Sequence, residues 1–113
     1  MRIFGTAARP VVGMVHLLPL PGSPRARALR EIRAAALADA RALAAGGVDG
    51  LLIENYGDAP FTAGAVEPQV VAAMSVIAAE IRAAAGLPLG INVLRNDSRA
   101  ALAVAQASGA AFI

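Results

Sequence analysis

The chain has no cysteine, no lysine and no tryptophan among its 113 residues. Without cysteine there is no disulfide framework, no thiolate metal site and no thiol nucleophile. Without lysine no Schiff-base amine comes from this sequence, so an aldolase of that type would need its lysine from elsewhere. Charge of one sign is also scarce. Ten arginines face eight acidic residues, a net charge of +2, which excludes a polyanion-binding tail. The sequence pI of 10.4 reflects arginine as the sole strong base rather than a large excess of charge. The one dense basic cluster is Arg25, Arg27, Arg30 and Arg33, interrupted by Glu31. It reads as the solvated start of a helix, with an anionic partner as the lesser alternative, and no nucleic-acid partner is expected.

Long hydrophobic runs are missing too. Only six residues separate Arg2 from Arg9, too few for a signal-peptide core. The longest stretch without Asp, Glu, Lys or Arg, Pro10 to Pro24, is 15 residues and carries four prolines. A membrane-spanning helix needs about 20 apolar residues. A cytoplasmic protein without a transmembrane segment is expected, and peripheral membrane contact stays open. The 58% hydrophobic content argues against disorder, although 29 of those residues are alanine.

The remaining pattern alternates short apolar runs with helical stretches. Val11–Leu17, Leu51–Ile53 closed by Glu54 and Asn55, and Leu89–Leu94 are apolar runs bounded by turn residues, and Ala110–Ile113 begins a fourth. Such runs fit strands buried on both faces, as in parallel sheets. Between them, Leu29, Ile32, Ala36, Leu37, Ala40 and Leu43 follow helical spacing up to Gly46 and Gly47. A second helix opens at Glu67-Pro68, with Val70, Val71, Met74, Ile77, Ala78 and Ile81 as its buried stripe and Gly86 as its stop. A third is capped by Asp97 or Ser98, carries Leu102 and Ala105, and stops at Gly109.

The order β-α-β-α-β-α-β predicts an α/β fold with a parallel sheet. A doubly wound nucleotide-binding sheet calls for a glycine-rich loop after the first strand. Here that loop, Leu18–Pro24, holds one glycine and three prolines. A (β/α)8 barrel instead places functional groups at the carboxyl ends of its strands. Strand parity favours the barrel. If Glu54 points inward, Leu52 shares its face and Ile53 meets the helices. If Asn92 points inward, so does Gly90; if His16 does, so do Met14 and Val12. Each strand then offers one inward polar group near its carboxyl end. The open strand edge after the third helix invites association between copies.

His16 and Glu54 are the candidate catalytic pair. An imidazole changes charge near neutral pH, and a carboxylate ending an apolar strand must be paired, hydrated or metal-bound. Asn55, Asp58, Asn92, Arg95, Asn96 and Asp97 are candidate ligand-binding residues. Each also has a structural reading: Asn55 and Asp58 as turn formers, Asn92 as a partner for a neighbouring strand, Asp97 as a helix cap. Arg95 suits an anion. Glu54 and Asp58 are oxygen donors for a divalent metal, but no metal-specific spacing accompanies them.

Three segments carry a resemblance: Pro10–Pro24, Gly46–Phe61 and Leu89–Asp97, which together hold the motifs VVGMVHLLPLPGSP, GGVDGLLIENYGDAPF and LGINVLRND. In these the chain resembles the BtpA/SgcQ family. The resemblance implies a ribulose-phosphate-binding-type TIM barrel and, in cyanobacterial members, a link to photosystem I accumulation with peripheral membrane association. It implies that residues 1–113 are the N-terminal portion of one barrel domain, its first three βα units and the start of strand 4. A barrel takes about 250 residues. Two function classes follow. One is a biogenesis or stability factor that binds a small phosphorylated or sugar-like ligand at the barrel mouth. The other is a lyase, isomerase or hydrolase acting on a phosphosugar or nucleoside-like substrate through His16 and Glu54.

Overall fold

The computed structural model describes residues 2–113. Its elements are β1 (Val12–His16), α1 (Leu29–Ala45), β2 (Gly50–Glu54), a single 3-10 turn (Tyr56–Asp58), α2 (Pro68–Ala85), β3 (Leu89–Asn92) and α3 (Ser98–Ser108). The three strands form one parallel sheet in the order β1-β2-β3. Phe112 adds a lone parallel bridge to Gly90, where the sequence suggested a fourth strand.

Helix boundaries follow local chemistry. Pro68 opens α2, where its missing N–H costs nothing. Asp97 caps α3 by accepting from the Ala100 N–H at 2.9 Å. Gly86 and Gly109 end α2 and α3 in the left-handed conformation, at φ 64° and 75°. Only a residue without a Cβ adopts that conformation freely.

The two faces of the sheet differ, as parity requires. Val15, Leu51, Ile53, Leu89 and Ile91 pack towards the helices and are at most 2% exposed. Full burial of side chains of this size stabilises by about 1.5–3 kcal/mol each. Leu43 of α1 comes so close to β1 that a Cβ on Gly13 would lie 3.0 Å from it. Val12, Met14, His16, Leu52, Glu54 and Asn92 face the other way and keep some accessibility. At the amino end of that open face the Phe4 and Phe112 rings occupy the space where side chains on Gly50 and Gly90 would stand. The two rings meet edge to face at 5.5 Å.

One helix face departs from expectation. Leu102 is 57% exposed, and the buried side of α3 is Ala100, Ala101, Val104 and Ser108. The cap at Asp97 sets the phase of the first turn, and the stripe through Ala101, Val104 and Ser108 leaves Leu102 on the far side. Small alanines there let α3 sit close to α2, its neighbour. α2 itself has the length and composition of a membrane span, with a mean hydropathy of 1.2. In the fold its stripe of Val70, Ala73, Met74, Ile77, Ala78 and Ile81 is buried in the common core.

Candidate functional site

Parallel pairing puts His16 opposite Glu54, and Glu54 opposite Asn92. All three close their strands on the open face, so their side chains form one row across the carboxyl edge of the sheet. Glu54 sits at its centre. Its Oε1 accepts from the Asn92 side-chain amide at 2.8 Å. Its Oε2 lies 3.0 Å from His16 Nε2. The Glu54 side chain is 13% exposed and that of His16 is 47% exposed. A carboxylate this enclosed is held by its two partners rather than by solvent.

Tyr56, two residues beyond Glu54, stacks on the His16 ring, with centroids 4.4 Å apart and planes 17° from parallel. Phe61 follows at 6.4 Å from Tyr56. The sequence reading did not single out either aromatic. The signal was an aromatic residue immediately after the strand's polar end, in a chain with a single tyrosine.

The other candidates are arranged differently. Asn55 follows Glu54 just beyond the end of β2 and bonds into the β3–α3 loop. It is 2% exposed. Its Oδ1 accepts from the Leu94 N–H at 2.6 Å, and its Nδ2 donates to the Leu94 carbonyl at 3.1 Å. Asp58 accepts from the Leu20 N–H at 2.7 Å. Burial pushes its carboxyl above the ordinary range, against that bond and one donated by the Asn55 side-chain amide at 3.4 Å. Asp97 accepts from Ala100 with one oxygen and from the Val66 N–H, at 2.7 Å, with the other. Those backbone donors hold its carboxyl below the ordinary range. Each of the three thus staples one βα loop to another. Asn96 is exposed at φ 64°. Arg95 is exposed, and its backbone pairs with Thr62 and Gly64 of the β2–α2 loop.

Among the described residues no group of three or more His, Asp or Glu side chains is gathered as a metal ion would require. Glu54 faces the row, and Asp58 faces the β1–α1 loop. In the basic cluster Arg27 pairs with Glu31 one helical turn on, and Arg33 pairs with Glu80 of α2.

The profile of the BtpA family matches residues 7–113. The chain belongs to the BtpA family. The photosystem I biogenesis protein BtpA of Synechocystis is 51% identical over 92% of this chain and 37% of its own length. An uncharacterized protein of Archaeoglobus fulgidus is 53% identical over 91% of this chain and 42% of its own. One from Pyrococcus furiosus is 40% identical over the whole chain and 43% of its own. The chain thus spans about two fifths of these relatives. No solved structure matches it. The relatives it resembles thus come from archaea as well as from a cyanobacterium.

Proposed function

We propose that residues 1–113 form the first part of a (β/α)8 barrel of ribulose-phosphate-binding type, and that the His16–Glu54–Asn92 row is the seat of a small phosphorylated or sugar-like ligand. The observation that carries this is Glu54, held between an imidazole and an amide at the carboxyl ends of three adjacent parallel strands. Binding and catalytic groups of barrels are set at that end. The likeness to the Synechocystis protein supports a biogenesis or stability role, with photosystem I as its object in photosynthetic relatives. The setting is cytoplasmic, with peripheral membrane contact in those relatives and self-association through the open sheet.

A second reading is favoured by the carboxylate–imidazole contact. In a neutral His16 that donates to Glu54 from Nε2, Nδ1 is a proton acceptor. Glu54 fixes the ring and supports the imidazolium that forms when Nδ1 takes a proton. His16 and Glu54 then serve as the acid–base pair of a lyase, isomerase or hydrolase.

The test is a metabolite screen by ligand-observed NMR on this chain and on Glu54→Gln. Expected are ligands whose affinity falls at least about tenfold in the variant while the fold is retained. A screen in which no ligand depends on Glu54 overturns the seat. Turnover of such a ligand, lost in His16→Gln with binding retained, selects the enzyme reading.

A further inference from the structure

The hydrogen-bonding capacity left over in the row is lopsided. A carboxylate has about four acceptor positions. Glu54 uses two of them, one on each oxygen, for Asn92 and His16. Asn92 uses one amide N–H, and no described residue donates to its Oδ1. His16 Nδ1 has no hydrogen-bond partner among the described residues either. What remains free on Glu54 and Asn92 is therefore mostly acceptors: two on Glu54 and Oδ1 of Asn92. Between these two residues a single Asn92 N–H is the spare donor.

A ligand complementary to this set must bring several donors close together. A phosphate or carboxylate offers acceptors and would face the charge of Glu54. No arginine is bonded to the row. Arg27 and Arg33 are paired elsewhere, and the backbone of Arg95 is tied to the β2–α2 loop. Beside the row stands Tyr56, 57% exposed and steadied by its stack on His16. A half-exposed aromatic ring at the His16 end of a row centred on a carboxylate suits a ligand with one apolar ring face and hydroxyls on its rim.

We infer, resting on the seat proposed above, that the row takes an uncharged cyclic ligand through a pair of adjacent hydroxyl groups, with Tyr56 packing against its ring. The two hydroxyls donate to Glu54 and Asn92, and the ligand carries no anionic group.

The test is titration calorimetry on the chain with methyl β-D-ribofuranoside, its 2-deoxy analogue, its 5-phosphate, and myo-inositol. The riboside and inositol represent two sources of the same diol, and the tighter of them identifies the source. Loss of one hydroxyl in the 2-deoxy analogue is expected to weaken binding about tenfold. Tyr56→Ala is expected to weaken it about three- to tenfold, and Tyr56→Phe to leave it near wild type, since the ring rather than the hydroxyl makes the contact. Tyr56 is exposed, so both variants are expected to fold, and thermal unfolding checks that. Equal binding of the 2-deoxy analogue overturns the diol. A 5-phosphate that binds tenfold tighter or more, and loses that gain in Arg95→Ala, overturns the uncharged class while leaving the seat in place. Binding of neither polyol overturns the inference, and the metabolite screen then decides the seat on its own.

Discussion

Glu54 and Asn55 are neighbours in sequence, yet they belong to two different polar systems. Glu54 joins His16 and Asn92 in a row whose members bond only to one another and keep free lone pairs at the sheet's open edge. Asn55 joins Asp58 and Asp97, whose side chains bond to the backbone of other loops. The staples hold Leu20, Val66 and Leu94 in place, and thereby the three loops around the row. The contrast separates groups that brace the proposed seat from groups with bonding capacity left over in it. A polar side chain engaged by buried backbone is costly to remove, whereas one engaged by its peers at an accessible edge is cheap to remove and chemically available.

Removing a staple is therefore expected to have the largest effect on stability. Asn55→Ala deletes a side chain that is 2% exposed and leaves the N–H and C=O of the partly buried Leu94 without their side-chain partner. Chemical denaturation is expected to show a loss of about 2–4 kcal/mol, the scale of two orphaned backbone groups. Asp97→Ala comes next. It removes the α3 cap and the tie to Val66 together, and about 1–3 kcal/mol is expected by the same measurement. A loss from either variant no larger than that of Glu54→Gln would erase the distinction between staple and row.

Acid titration sharpens the comparison within the staples. Asp97 is held low by its donors, so its contribution is complete above the usual aspartate range and is lost as pH falls through its depressed value. Asp58 is held high by burial, so its charge opposes folding above its raised value, and protonation on acidification relieves that cost. Thermal midpoints followed downward from neutral pH are expected to show the Asp58 relief first and the Asp97 loss at lower pH. Asp97→Asn is expected to flatten the acid limb, and Asp58→Asn to remove the earlier feature.

Glu54→Gln is expected to have the smallest effect on stability, within about 1 kcal/mol, because glutamine can still bridge Asn92 and His16 without a semi-buried charge. Ligand affinity or activity is expected to fall by about 10²-fold if Glu54 acts on a proton or a donor-rich ligand. Equal ligand response in variant and wild type, with melting unchanged, would remove Glu54 from the site.

Much of this arrangement was legible in the chain. The period-two pattern around Leu52, Ile53 and Glu54 assigns each side chain to a face whatever the neighbouring strands do, because alternation is a property of the extended backbone itself. Helix ends at Pro68, Asp97, Gly86 and Gly109 were legible for a similar reason, since caps depend on the residues beside them. The phase of α3 was not. Leu102 reads as a core residue by its chemistry, but which side of a helix is buried depends on where the helix lands against its neighbours.

The division of labour among the site residues shows the same boundary. Sequence alone placed His16, Glu54 and Asn92 near the carboxyl ends of apolar strands, and made those strands parallel. That follows from local periodicity and the order of elements. Only the tertiary structure decided that the three share one register line, that Tyr56 stacks on His16, and that Asn55, Asp58 and Asp97 turn to backbone groups 31–39 residues away in sequence. A side chain's hydrogen-bond partner across such a distance depends on strand register and loop path, and no local pattern encodes either.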